Sequence, residues 1–273
     1  MNIFQFIKQF ANEDLLRAPG SRRETLGQFT KMGTNAVLGA IPMSMLLTPQ
    51  KSAAAALTTV ADSPISALQL ALTLEYLEDE FYQTALDTIG LVPLVGRDRF
   101  VIEQIAKHES AHVDFLIAGL GSDVIPKPVF DFTAGGLFND VFTNYQTFLA
   151  LAQAFEDTGV RAYKGQAGNL ITTPDLLQAA LQIHSVEARH ASEIRRIRGE
   201  KGWIVSNSRG TLPAAAQPVY DGENNTNQAG FNTSSVSNGS LGPAIPAAAG
   251  PESFDEPLTG DEASAIASLF IGS

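Results

Sequence analysis

Four histidines occur in this chain of 273 residues, and two of them stand three residues after a glutamate. Glu109 precedes His112 in Lys107-His108-Glu109-Ser110-Ala111-His112, and Glu187 precedes His190 in Val186-Glu187-Ala188-Arg189-His190. On a helix, positions i and i+3 share a face about one turn apart. A carboxylate and an imidazole so placed can reach one metal ion. A single Glu-x-x-His says little, because both residue types are common on solvated helices. Two of them, in two segments with apolar periodicity, point to metal binding and pose the question of further carboxylates.

Four helical segments between residues 60 and 201 supply them. Asp62-Ser63-Pro64 has the character of a helix start, a capping side chain followed by proline. Leu68, Ala71, Leu72, Glu75, Glu78 and Tyr82 then fall on one stripe of a helix that runs to about Ile89. A second helix, from about Arg97 to Ala118, carries Ile102, Ile105, Glu109, His112 and Leu116 at spacings of three and four. Gly119 and Gly121 end it. A connection of about 20 residues follows, too long for a simple hairpin and suited to a crossover along a bundle. A third helix is expected from about Asn139 to Tyr163, with Phe138, Phe142, Tyr145, Leu149, Ala152, Glu156 and Tyr163 on one stripe. Thr173-Pro174 opens the fourth, whose seam is Leu176, Ala180, Ile183, Glu187, His190, Ile194 and Ile197.

The four seams therefore present Glu75, then Glu109 with His112, then Glu156, then Glu187 with His190. An acidic residue on an apolar face costs several kcal/mol unless paired or metal-bound. Four carboxylates and two imidazoles match two divalent cations in charge and number, and oxygen with imidazole suits iron or manganese without choosing between them. The competing reading places each glutamate on a solvated surface and each histidine in a hydrogen-bonded core. The ordered alternation of six residues over four seams weighs against it. Glu78 is a further ligand or a hydrogen-bond acceptor beside the site, or merely solvated. Tyr82, Tyr145 and Tyr163 offer gating or hydrogen bonding, with core packing as the plainer alternative. His108 and His184 fall off the two seams and are expected at the periphery.

Leu74-Glu75-Tyr76-Leu77-Glu78, Lys107 to His112, Ala154-Phe155-Glu156 and Val186 to His190 resemble the ferritin-like superfamily. The nearer look is to exported ferritin-like-domain proteins related to plant desiccation-related proteins, with a distant resemblance to manganese catalase and rubrerythrin. The segment Phe254-Asp255-Glu256-Pro257-Leu258-Thr259 also resembles that group. The resemblance implies an all-α, ferritin-like four-helix bundle. It implies Glu75 and Glu156 as terminal carboxylates, Glu109 and Glu187 as bridges, and His112 and His190 as one imidazole per metal. It fixes a site far better than a reaction.

Composition narrows the rest. The formal net charge of −11 offers no basic patch for nucleic acid. The absence of cysteine removes disulfides, thiolate metal sites and cysteine catalysis together. Residues 1–55 are expected to be an export signal of twin-arginine type. They contain Ser21-Arg22-Arg23-Glu24-Thr25-Leu26, a mildly apolar stretch from Met32 to Pro49, and small residues at Lys51-Ser52-Ala53-Ala54-Ala55-Ala56. The product would be periplasmic or extracellular, with no stable membrane span in mature form. Residues 202–273 read as an extended arm rich in Asn, Gly, Ser, Pro and Ala. Its expected anchors are Val219-Tyr220, Phe231, Ile245 and Phe254. Thr259-Gly260-Asp261-Glu262 caps a last short helix, with Ala265, Ile266, Leu269 and Phe270 apolar. The expected function is a dinuclear iron or manganese oxidoreductase acting on peroxide or dioxygen, catalase-like or ferroxidase-like, and assembled as a homo-oligomer. The alternative is a non-catalytic stress, desiccation-related or envelope protein on the same scaffold.

Overall fold

A computed structural model describes residues 63–235 and 246–272. The expected export signal lies outside these residues. Apart from residues 227–231, the described residues form one compact unit. Four long helices dominate it: α1 (Pro64–Asp87), α2 (Arg97–Leu120), α3 (Tyr145–Gln166) and α4 (Pro174–Ile197). A short α5 (Gly260–Ser268) follows near the C-terminus. The described residues form a helical bundle, and among them no helix is long and apolar enough to cross a membrane.

The helix ends follow local chemistry. Ser63 and Ser66 each accept from the other's backbone N–H at 3.1 Å, a capping box ahead of α1, and Pro64 sits where a missing N–H costs nothing. The third helix starts at Tyr145 rather than near Asn139. Asn144 caps Gln146 N–H at 3.0 Å, and the Asp140 carboxylate accepts from the side chains of Asn144 and Thr147. These short-range bonds hold residues 138–143 in turns instead of a helix.

α1 lies along α2 and α3 along α4, and the two hairpins meet mainly through α1 against α3. Tyr82 reaches Glu156 while Tyr163 reaches Glu75, so α1 and α3 run antiparallel. Since α2 also opposes α1, α2 and α3 point the same way, and residues 121–144 must cross the length of the bundle. Phe81, Phe132, Phe142, Phe148 and Phe155 form an aromatic cluster beside Tyr82, with ring centroids 4.9–5.7 Å from that of Phe81.

The arm turns back onto this same bundle, so that every residue of α3 from Phe148 to Tyr163 is buried. Val219 and Tyr220 enter the core, as does Leu258, whose N–H donates to the Arg161 carbonyl at 3.0 Å. Of the other anchors expected from sequence, Phe254 is exposed, Phe231 is half-buried, and Ile245 lies outside the described residues. A Cβ on Gly165 would fall 1.7 Å from the Leu258 carbonyl oxygen, so only glycine admits the arm this close. The Arg161 guanidinium is fully buried; it donates to the carbonyls of Val219, Asp221 and Glu256 and pairs with Glu223 at 2.8 Å. Thr259 and Glu262 form the capping box of α5. Its buried stripe is Ala263, Ile266, Ala267 and Phe270, while Ala265 and Leu269 face solvent.

Candidate metal centre

Each of the four long helices sends a glutamate to the middle of the bundle. Glu75, Glu109, Glu156 and Glu187 are all fully buried, and His190 is 4% exposed. The side chain of His112 keeps 12% exposure, which makes it the group of the cluster nearest to solvent. Their ligand-type atoms gather into two groups, each with all atoms within 4.8 Å of one another. One is Glu75, Glu109, His112 and Glu187; the other is Glu109, Glu156, Glu187 and His190. Glu109 and Glu187 belong to both.

His112 Nδ1 faces three carboxylate oxygens at nearly equal range: Glu109 Oε2 at 3.0 Å, Glu187 Oε1 at 3.1 Å and Glu75 Oε2 at 3.2 Å. One ring nitrogen carries at most one hydrogen, so it cannot serve all three. His190 Nδ1 lies 2.8 Å from Glu109 Oε1, 3.3 Å from Glu156 Oε2 and 3.8 Å from Glu187 Oε2. The distance to Glu109 is short, yet neither atom makes a hydrogen bond. Among the described residues, seven buried side-chain polar atoms lack a hydrogen-bond partner. Six belong to this cluster: Glu78 Oε1, Glu109 Oε1, Glu156 Oε2, both oxygens of Glu187 and His190 Nδ1. Leaving a polar atom buried and unpartnered costs about 1–3 kcal/mol, more when it is charged. The unpartnered atoms are oxygen and imidazole donors around two shared centres, a donor set that suits divalent metal ions. The residues fit a metal pair.

In the metal-free chain these groups shift one another's protons. Burial raises Glu75, and it raises Glu109 to about 7 and Glu156 to about 8. Burial would lower His112, but its contacts with Glu109, Glu187 and Glu75 push it up to about 12. Burial likewise opposes protonation of His190, and Glu156 and Glu109 override it upward. Burial would raise Glu187, but the two imidazoles bring it down to about 2.

The surroundings hold the donors in place. Tyr82 OH donates to Glu156 Oε1, and Tyr163 OH donates to Glu75 Oε1. Burial, then the adjacent carboxylate, raises both phenols well above their usual range, so they remain donors. A small apolar cavity lined by Leu70, Ala71, Leu74 and Ala162 abuts Tyr163. Glu78 is buried beside Glu187, not solvated.

His108 is not peripheral. Its Nδ1 lies 2.9 Å from His190 Nε2, the nitrogen turned away from the carboxylates, and the two rings stack with centroids 5.2 Å apart. The sequence carried a signal for this, since His108 and His112 are four residues apart and share a face of α2. His184 does stay at the edge, with Nδ1 3.0 Å from the Val160 carbonyl oxygen.

Residues 63–200 match the family model described as ferritin-like domain, which covers half of the chain. No curated protein and no solved structure matches the chain. A four-helix bundle whose centre is lined by carboxylates and imidazoles agrees with that match, and the chain belongs to the ferritin-like domain family.

Proposed function

We propose that this chain is a dinuclear iron or manganese protein and an oxidoreductase acting on peroxide or dioxygen. The observation that carries the proposal is the convergence of unpartnered carboxylate and imidazole atoms on two adjoining centres. Glu75, Glu109, His112 and Glu187 would hold one ion, and Glu109, Glu156, Glu187 and His190 the other. Glu109 and Glu187, common to both groups, are the bridging carboxylates of this reading. Two such ions would supply a redox couple for exchanging electrons with a small oxidant.

The rest of the chemistry belongs to the protein. Tyr82 and Tyr163 each tie down one oxygen of a terminal carboxylate, leaving the other free to ligate. His108 fixes the ring of His190 through its outer nitrogen, the common arrangement for a ligating imidazole. The aromatic cluster beside Tyr82 keeps water from that end. The His112 edge of the cluster lies nearest to solvent. Export by a twin-arginine-type signal belongs to the same proposal and rests on Arg22-Arg23 and the stretch after them. That route carries folded, metal-loaded proteins.

Metal analysis of protein purified from its native compartment tests the proposal. About two iron or manganese ions per chain, lost in a Glu109→Ala/Glu187→Ala variant, is the expected result. Absence of metal together with absence of peroxide or dioxygen turnover would leave the bundle as a non-catalytic scaffold.

A further inference from the structure

α1 and α3 are near two-fold copies of one another at the site. Glu75 on α1 is followed seven residues later by Tyr82, and Glu156 on α3 seven residues later by Tyr163. Each tyrosine donates to the other helix's glutamate. The match fails at one rung. One turn after Glu75 stands Glu78, and one turn after Glu156 stands Gly159. On α2 and α4 the same rung holds His112 and His190.

These two unmatched residues face each other. A Cβ on Gly159 would lie 3.3 Å from Glu78 Oε1 and 3.4 Å from Glu187 Oε2. The missing side chain is therefore what leaves room for the two oxygens. Glu78 is 1% exposed, and its Oε1 has no hydrogen-bond partner. Its position is also sided. Glu187 Oε1 is the oxygen turned to His112, at 3.1 Å, while Oε2 is turned to His190, at 3.8 Å. Glu78 Oε1 borders the same Gly159 gap as Oε2, the Glu187 oxygen turned to His190.

A buried carboxylate with one unpartnered oxygen, beside a group of metal-type donors, calls for a cation. We propose that Glu78 is a fifth carboxylate donor of this centre, serving the ion held by Glu109, Glu156, Glu187 and His190. The two ion positions are then unequal, the one beside Glu78 being the tighter. This rests on the dinuclear reading above and adds to it a source of asymmetry.

The full chain, stripped of metal, is titrated anaerobically with Mn²⁺, and separately with Co²⁺ for its visible absorption. The wild type takes up two ions in two steps. Glu78→Gln keeps the volume and removes the charge; it weakens the tight step by about tenfold or more, leaves the other step in place, and alters the Co²⁺ spectrum of the tight step. Glu78→Asp, which keeps the charge but draws the carboxylate back by one methylene, weakens the same step and serves if Glu78→Gln does not fold. Glu78→Gln with both steps and both Co²⁺ spectra unchanged overturns the assignment, as does equal weakening of both steps. A wild type that takes up no metal overturns the dinuclear reading itself, a result distinguishable from a wild type that binds two ions regardless of Glu78.

Discussion

Nδ1 of His108 lies 2.9 Å from Nε2 of His190, and the two rings stack with an interplanar angle of 14°. The contact sets which nitrogen of His190 turns toward Glu109 and Glu156. Replacing the outer partner of a ligating imidazole typically costs about 10–100-fold in metal affinity. His108→Ala should therefore weaken uptake at the His190 side by about that factor while far-ultraviolet circular dichroism stays unchanged. Calorimetric titration of the metal-free protein measures it, and unaltered affinity would remove His108 from the site.

The two tyrosines should behave alike, because their environments do. Tyr82→Phe strips Glu156 Oε1 of its donor, and Tyr163→Phe does the same to Glu75 Oε1. Each change leaves a buried carboxylate oxygen without a partner, at about 1–3 kcal/mol. For a chain of this size that lowers Tm by roughly 2–4 °C per kcal/mol. Thermal unfolding of the metal-free proteins should show the loss in both variants; a loss in only one would mean the pair is not equivalent.

Rising pH should widen the stability difference between the metal-free and metal-loaded proteins. Glu109 moves from 4.5 to about 7, Glu156 from 4.5 to about 8 and His112 from 6.5 to about 12 on folding. All three are raised, so each contributes stability that is fully present below its unfolded value and lost as pH rises through its folded one. Glu187, depressed to about 2, contributes above 4.5 and loses its effect only in strong acid. Metal-free protein should thus lose stability steadily between about pH 5 and pH 9. A bound ion competes with these same protons, so the Tm gain from added Mn²⁺ should widen over that range. Parallel pH series of melting curves decide the point, and a constant gap would count against proton displacement.

Gly165 tests how the arm is held. Gly165→Ala places a methyl group on the Leu258 carbonyl, a collision that only movement of the arm relieves. Overpacking of this kind costs about 1–3 kcal/mol or more. The variant should melt lower and be cut by protease in residues 246–259 under conditions that spare the wild type. Gly168→Ala is the control, since nothing lies within 4 Å of its added carbon.

A second buried link should be costlier to cut. Arg195 grips both oxygens of Asp157 at 2.5 Å, deep between α4 and α3. Asp157→Ala leaves that guanidinium buried without its carboxylate, which typically costs about 3–5 kcal/mol. Denaturant unfolding should show a loss in that range, well beyond that of either tyrosine variant.

The bundle was readable because its signals are local. Apolar spacing marks the four helices, and a glutamate interrupting each apolar seam marks where the seams meet. The four-residue spacing of His108 and His112 on α2 was a local signal too, but most of what escaped has none. Asp157 and Arg161 look like surface charges on an amphipathic α3, but the arm covers that face, and Arg195 and the arm's carbonyls satisfy them. The approach of Leu258 to Gly165 joins residues far apart in sequence through backbone atoms, which no side-chain pattern reports. The start of α3 differs from the sequence pattern because Phe138 and Phe142 fit a helical stripe, while Asp140 and Asn144 favour turns through their own hydrogen bonds.

Each helical hairpin lends one carboxylate to the other. Glu187 of α4 sits among the donors of α1 and α2, and Glu109 of α2 sits among those of α3 and α4. Neither hairpin can complete a donor group alone, and neither can shift without disturbing both groups at once. The two halves of the site are therefore mechanically interlocked. Loosening of the α1–α3 contact, by heat or by mutation far from the centre, should be felt at both positions together.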